Sequence, residues 1–146
     1  MNGSQTGQAW LELIARIFLA GVFIVFGVLQ STRYGFYIGY MTKFSVPMPE
    51  ILLFLTIIIE LGCGAMLIVG WKTRWAGAIL ALFTLIVTFF FHRYWEFDAA
   101  QAPIQMANFY KNFAIMGGLL YVYVYGAGSL SLDAKGTRPL AAPRTA

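Results

Sequence analysis

Four transmembrane helices packed as one all-α integral membrane bundle are what this chain predicts, and three observations lead there. First, 60% of its 146 residues are hydrophobic and 11% are charged, and the mean hydropathy is +0.72. A soluble domain is about 25% charged and about 45–50% apolar. Second, the apolar residues gather into four stretches of about 18–22 residues, and about 20 helical residues cross a hydrocarbon core of about 30 Å. Third, a backbone in lipid must bond to itself, which helices achieve within one segment and strands achieve only in a closed barrel.

The first span runs from about Trp10 to Leu29 and the second from about Pro49 to Gly70. Pro49 starts the second span, where a missing N–H is harmless. Pro47 and Pro103 fall in loops or at a helix start. The third span runs from about Trp75 to His92 and the fourth from about Phe109 to Gly126. Tyr121, Tyr123 and Tyr125 alternate with valines as a strand would. So few repeats cannot close a barrel, so they are read as the aromatic end of the fourth helix. These spans form one transmembrane domain over residues 1–128, and residues 129–146 are expected to be a polar, flexible tail.

The second and third spans are joined by the short turn Trp71-Lys72-Thr73-Arg74. Lys72, Arg74, Lys135, Arg138 and Arg144 collect on one side, and Arg33, Lys43, Arg93 and Lys111 on the other. The tight Lys72/Arg74 turn tips the balance, which puts both termini in the cytoplasm. Trp10, Trp71 and Trp75 then mark the inner interface and Trp95 the outer. The lipid bilayer is therefore a partner. With a net charge of +4 and no basic run longer than two residues, nucleic acid is not. The N-terminus lacks the basic region of a secretory signal. Cys63 is the single cysteine, so no internal disulfide or cysteine-pair redox motif is expected.

An ionisable side chain at bilayer depth costs about 2.5–3.5 kcal/mol on insertion scales, so each one needs a reason. By helical rise, Arg16 stands about 9 Å above the inner boundary and Glu60 about 14 Å above it, near the midplane. That gap suits an Arg16–Glu60 pair, because a bidentate arginine keeps a buried carboxylate ionised. His92 and Lys111 lie about 25 Å up or more, near the outer interface. Thr84, Thr88 and His92 are spaced by four and make a polar stripe on the third span; Asn108 and Asn112 repeat that spacing on the fourth. Each also admits a structural role: a bridge that fixes helix pairing for Arg16 and Glu60, an interfacial ring for His92, and bonds to their own backbone carbonyls for the threonines. No metal-ligand set, glycine-rich phosphate loop or GxSxG turn is present, and one histidine cannot supply two haem ligands within a protomer. What remains is a small polar pocket in an apolar bundle, which suits a quinone or a small polar substrate.

The ordered run Ala15-Arg16-Ile17-Phe18, Val46-Pro47-Met48-Pro49, Ile59-Glu60-Leu61-Gly62-Cys63-Gly64, Gly70-Trp71-Lys72-Thr73-Arg74, Phe91-His92, Phe109 to Gly118 and Gly126 to Asp133 resembles the DoxX family of small membrane proteins. The resemblance covers about Ala15 to Lys135. It implies a four-helix bacterial inner-membrane protein whose recurring polar residues fall at Arg16, Glu60, His92, Lys111 and Asn112. Members often carry lysine shortly after the glycine near the end of span one. Here that place reads Gly27-Val28-Leu29-Gln30. Some members are linked to thiosulfate:quinone oxidoreduction and others to membrane complexes that handle thiol and oxidative stress.

The reading favoured by these residues is a subunit of a redox-linked, quinone- or quinol-interacting system. Glu60 and His92 are assigned to proton transfer; Arg16, Thr88, Lys111 and Asn112 to ligand binding. No cofactor is expected to be covalently bound; quinone is the candidate ligand. A membrane or soluble oxidoreductase partner is implied, and a homo-oligomer is compatible. The alternative is a non-catalytic anchor or assembly subunit, for which Arg16→Leu and Glu60→Gln would lower folding yield together. A small-solute transporter ranks behind both, because four short spans are few for a permeation path.

Overall fold

The structure is a computed structural model and describes residues 3–136. Among them every regular element is helical: α1 (Gly3–Thr32), α2 (Tyr34–Lys43), α3 (Pro49–Val69), α4 (Thr73–Phe91), a 3₁₀ turn (Tyr94–Glu96), α5 (Ala102–Tyr125) and α6 (Leu132–Gly136). Three segments are long and apolar enough to cross a membrane: Gln5–Thr32, Pro49–Val69 and Thr73–Glu96. α5 is long enough at 24 residues, but Gln105, Asn108, Lys111 and Asn112 make it more polar. The outer faces carry large bare apolar side chains, such as Phe18 at 75% and Trp75 at 69% exposure, as contact with lipid tails and headgroups demands.

Local chemistry sets the helix ends. α3 starts with proline in its first turn, and Gly70 ends it with φ +70, a left-handed conformation that glycine adopts freely. α1 packs chiefly on α3, and α4 chiefly on α5. Small residues permit both contacts: a Cβ at Gly27 would fall 2.7 Å from Leu61 Cδ2, and one at Gly77 would fall 3.1 Å from the Leu119 carbonyl oxygen. α3 meets α4 around a core of Ala20, Phe23, Cys63, Leu67, Ala76, Leu80, Ala81 and Leu119.

Two segments differ from the sequence expectation. The connection between the first two spans holds α2, whose Met41 packs with Val46 and Leu53 and with Tyr34, Tyr37 and Ile38. The aromatic and aliphatic residues of α2 recur at spacings of three and four, so this short helix seals one face against α3. The start of the expected flexible tail is also ordered. Asp133 accepts the N–H of Lys72 (2.7 Å) and of Thr73 (2.9 Å), and its own N–H donates to the Gly70 carbonyl (2.8 Å). A carboxylate from a distant helix thus caps α4, whose own flanking residue Lys72 offers no side-chain cap. Residues 137–146 of that tail lie outside the described residues.

Candidate functional site

A cavity of about 340 Å³ opens among α1, α2, α3, α4 and α5. Its polar wall gathers Glu60 from α3, Thr84 from α4, His92 at the end of α4, and Asn108, Lys111 and Asn112 from α5. Gln30 from α1, Tyr37 and Tyr40 from α2 and Thr56 from α3 complete it, and the rest is apolar, with Phe23, Phe26, Leu53, Phe83 and Phe91.

Glu60 is 5% exposed near the middle of α3. The Gln30 side chain hydrogen-bonds its carboxyl group. Glu60 Oε2 and Gln30 Oε1 nevertheless have no partner, although both are buried. Buried polar atoms are almost always bonded, so two orphans side by side in a cavity wall mark a place where a ligand can be satisfied. The carboxyl group accepts when ionised and donates when protonated, whereas a carboxamide oxygen only accepts.

His92 Nδ1 lies 2.7 Å from Gln105 Oε1. With its proton on Nδ1, the ring donates to that oxygen and leaves Nε2 as an acceptor. Asn112 donates through Nδ2 to Thr88 Oγ1 (3.0 Å), and Lys111 Nζ donates to Asn108 Oδ1 (2.9 Å). Thr88 itself donates to the Thr84 carbonyl (2.6 Å) and Thr84 to the Leu80 carbonyl (2.7 Å), so both hydroxyl protons serve the helix backbone. Thr88 does not line the cavity; it stands behind Asn112 and orients the carboxamide.

The expected Arg16–Glu60 pair is absent. Glu60 is level with Gly27 of α1, whose added Cβ would fall 3.4 Å from Glu60 Cβ. Arg16 lies about 16 Å away along the helix. Its guanidinium instead sits beside Gly70, and Nη2 donates to the Leu130 carbonyl (2.5 Å). The depth estimate set Trp10 level with Gly70, whereas Arg16 holds that level, a slide of about six residues or about 9 Å. Arg16 is thus buried at 2% exposure at the end that carries the α3–α4 turn, away from the cavity.

There Arg16 belongs to a second cluster. Its charge acts on Asp133, and a Cβ at Gly128 would overlap the Glu12 carboxylate. Burial works to raise the Asp133 carboxyl, but the bonds from Thr73 and Lys72 and the charge of Arg16 outweigh it and hold it below the ordinary carboxylate range.

Of the six residues expected to form one site, the fold brings Glu60, His92, Lys111 and Asn112 together, keeps Thr88 as support and removes Arg16. Sequence reasoning missed Gln30, Tyr37 and Tyr40 as wall residues and Gln105 as the partner of His92. Gln105 stands at helical spacing from Asn108 and Asn112 on one face, a signal that could have found it. The part of Gln30 follows only from the packing of α1 on α3.

A family model described as DoxX matches residues 11–93, more than half of the chain. Inner membrane protein YphA of Escherichia coli is 30% identical over 123 residues, covering 84% of this chain and 88% of that protein. Inner membrane protein YqjF of the same organism is 34% identical over 121 residues, covering 83% and 88%. ER-derived vesicles protein ERV29 of Saccharomyces cerevisiae is 36% identical over 67 residues, 46% of this chain and 22% of that protein. No solved structure matches the chain significantly.

Proposed function

The chain belongs to the DoxX family of membrane proteins, and from that premise we propose that it is the membrane subunit of a redox-linked system that binds quinone or quinol in the Glu60 cavity. In this reading α1, α3, α4 and α5 cross the inner membrane as one four-helix bundle, with both termini in the cytoplasm. The observation that carries it is the pair of orphaned, buried oxygens, Glu60 Oε2 and Gln30 Oε1, in the wall of one cavity that has both polar and apolar lining.

The residues present suit that head group. A quinol hydroxyl can donate to Gln30 Oε1, and a quinone carbonyl can accept from Lys111 or from the second N–H of Asn112. Reduction of quinone to quinol takes two electrons and two protons. Glu60 and His92 exchange the protons; a partner oxidoreductase supplies or receives the electrons. Thr88 acts only by holding Asn112, and Arg16 has no part in the chemistry.

The test is to purify the chain in mild detergent with native lipid and identify by mass spectrometry what remains bound. A retained quinone that is lost in Glu60→Gln and reduced in His92→Ala supports the proposal. A stoichiometric protein partner without quinone overturns it in favour of an anchor subunit.

A further inference from the structure

We propose that the cavity opens sideways into the bilayer, between α1 and α5, and takes a lipid-soluble ligand whose apolar tail stays in that seam. The inference rests on the reading of the cavity as a ligand site and adds the route and the ligand class.

Three observations carry it. Among the residues that line the cavity, only Phe26 and Lys111 are exposed, so they mark its mouth. Phe26 is on α1 and Lys111 on α5, long helices that touch far less than α1 touches α3 or α4 touches α5. They come together at Leu19 and Gly118, where a Cβ on the glycine would fall 3.0 Å from Leu19 Cδ1. Farther toward the Thr32 end, Val22 and Phe26 on one side and Ile115 and Lys111 on the other border the cavity instead. Finally, the α1 side of the mouth belongs to a membrane-spanning segment. Phe26 falls inside Gln5–Thr32, which is long and apolar enough to cross a membrane, and Lys111 sits toward the outer interface. An opening bordered by that segment faces acyl chains on its Phe26 side.

The rim has an order to it. Phe26 and Ile115 offer apolar surface to a tail, while Lys111 sets a cation at the lip and its long stem lets the ammonium reach toward the headgroups. Glu60 and Gln30 wait at the inner end. A ligand with a polar head and an apolar tail can satisfy both ends; a freely water-soluble solute would have to cross lipid first.

Spin labels at Phe26→Cys and, separately, at Ile115→Cys, each in a Cys63→Ala chain in phospholipid vesicles, test the mouth directly. Collision with oxygen, which concentrates in lipid, is compared with collision with a water-soluble nickel chelate, before and after addition of a decyl-tailed benzoquinone. A severalfold excess of oxygen collisions at both sites, reduced severalfold by the quinone, supports the inference and the quinone reading together. Oxygen dominance that the quinone leaves unchanged supports the sideways opening and overturns quinone as its occupant. Dominance of the nickel chelate at either site overturns the inference whatever the quinone does. The Ile115 label, on the opposite helix, decides the matter by itself if Phe26→Cys fails to fold.

Discussion

Replacing Asp133 by alanine should destabilise the whole protein, although Asp133 lies outside every span and outside the cavity. Its carboxylate accepts two backbone N–H groups at the start of α4, from Lys72 and Thr73. Loss of such a cap costs about 1 kcal/mol, and at most about 2. The second contribution comes from Arg16, which is 2% exposed and has Nε and Nη1 without hydrogen-bond partners. Without Asp133 it keeps the Leu130 carbonyl and the charge of Glu12 and loses the larger of its two compensating charges. Leaving a buried polar group short of a partner costs about 1–3 kcal/mol. Together the two effects give about 3 kcal/mol. Equilibrium unfolding in mixed micelles at pH 7, followed by tryptophan fluorescence, measures it, since Trp71 and Trp75 flank the affected turn. Arg16→Met removes the stranded cation, so the double variant should recover at least about 1 kcal/mol relative to additivity. A change for Asp133→Ala within about 0.5 kcal/mol of the parent, or strict additivity in the double variant, would refute the reasoning.

The same carboxylate predicts a pH dependence. Its value is lowered by folding, so its contribution is complete above the unfolded value of about 3.9 and is lost as pH falls through the folded one. The stability gap between the parent and Asp133→Asn should therefore be constant from neutral pH to about 5 and close below about 4; a gap that widens in acid would contradict the assignment. Gly128→Ala combines a strained φ of +76 with overlap on the Glu12 carboxylate and should lower folded yield sharply, whereas Gly117→Ala, with nothing near its Cβ, should not, as detergent gel filtration would show. Thr88→Val removes the acceptor of Asn112 and should cost about 1–2 kcal/mol while leaving the cavity wall in place. Its unfolding midpoint should fall, and any bound quinone should weaken less than in Glu60→Gln.

The amino-acid sequence alone determined that the chain is helical and membrane-embedded, where its two middle spans run, and which residues are costly there. Composition and segment length settle that, because the bilayer acts on each segment by itself. Hence Pro49 to Gly70 and Trp75 to His92 were legible almost to the residue, and before any contact was known Glu60, His92 and Lys111 stood out by insertion cost and Asn112 by its spacing from Asn108. Tertiary structure alone decided how far one helix slides along the next. That offset depends on which small residues admit a neighbour, here Gly27 against Leu61 and Gly64 against Ile24. Depth measured along single helices cannot contain it, so Arg16 was paired with Glu60 when its place is beside Gly70. The same limit hid α2, whose order comes from packing on α3, and α6, whose Asp133 finds its role only at the start of another helix. A polar residue declares its cost locally, but its partner is chosen by the fold.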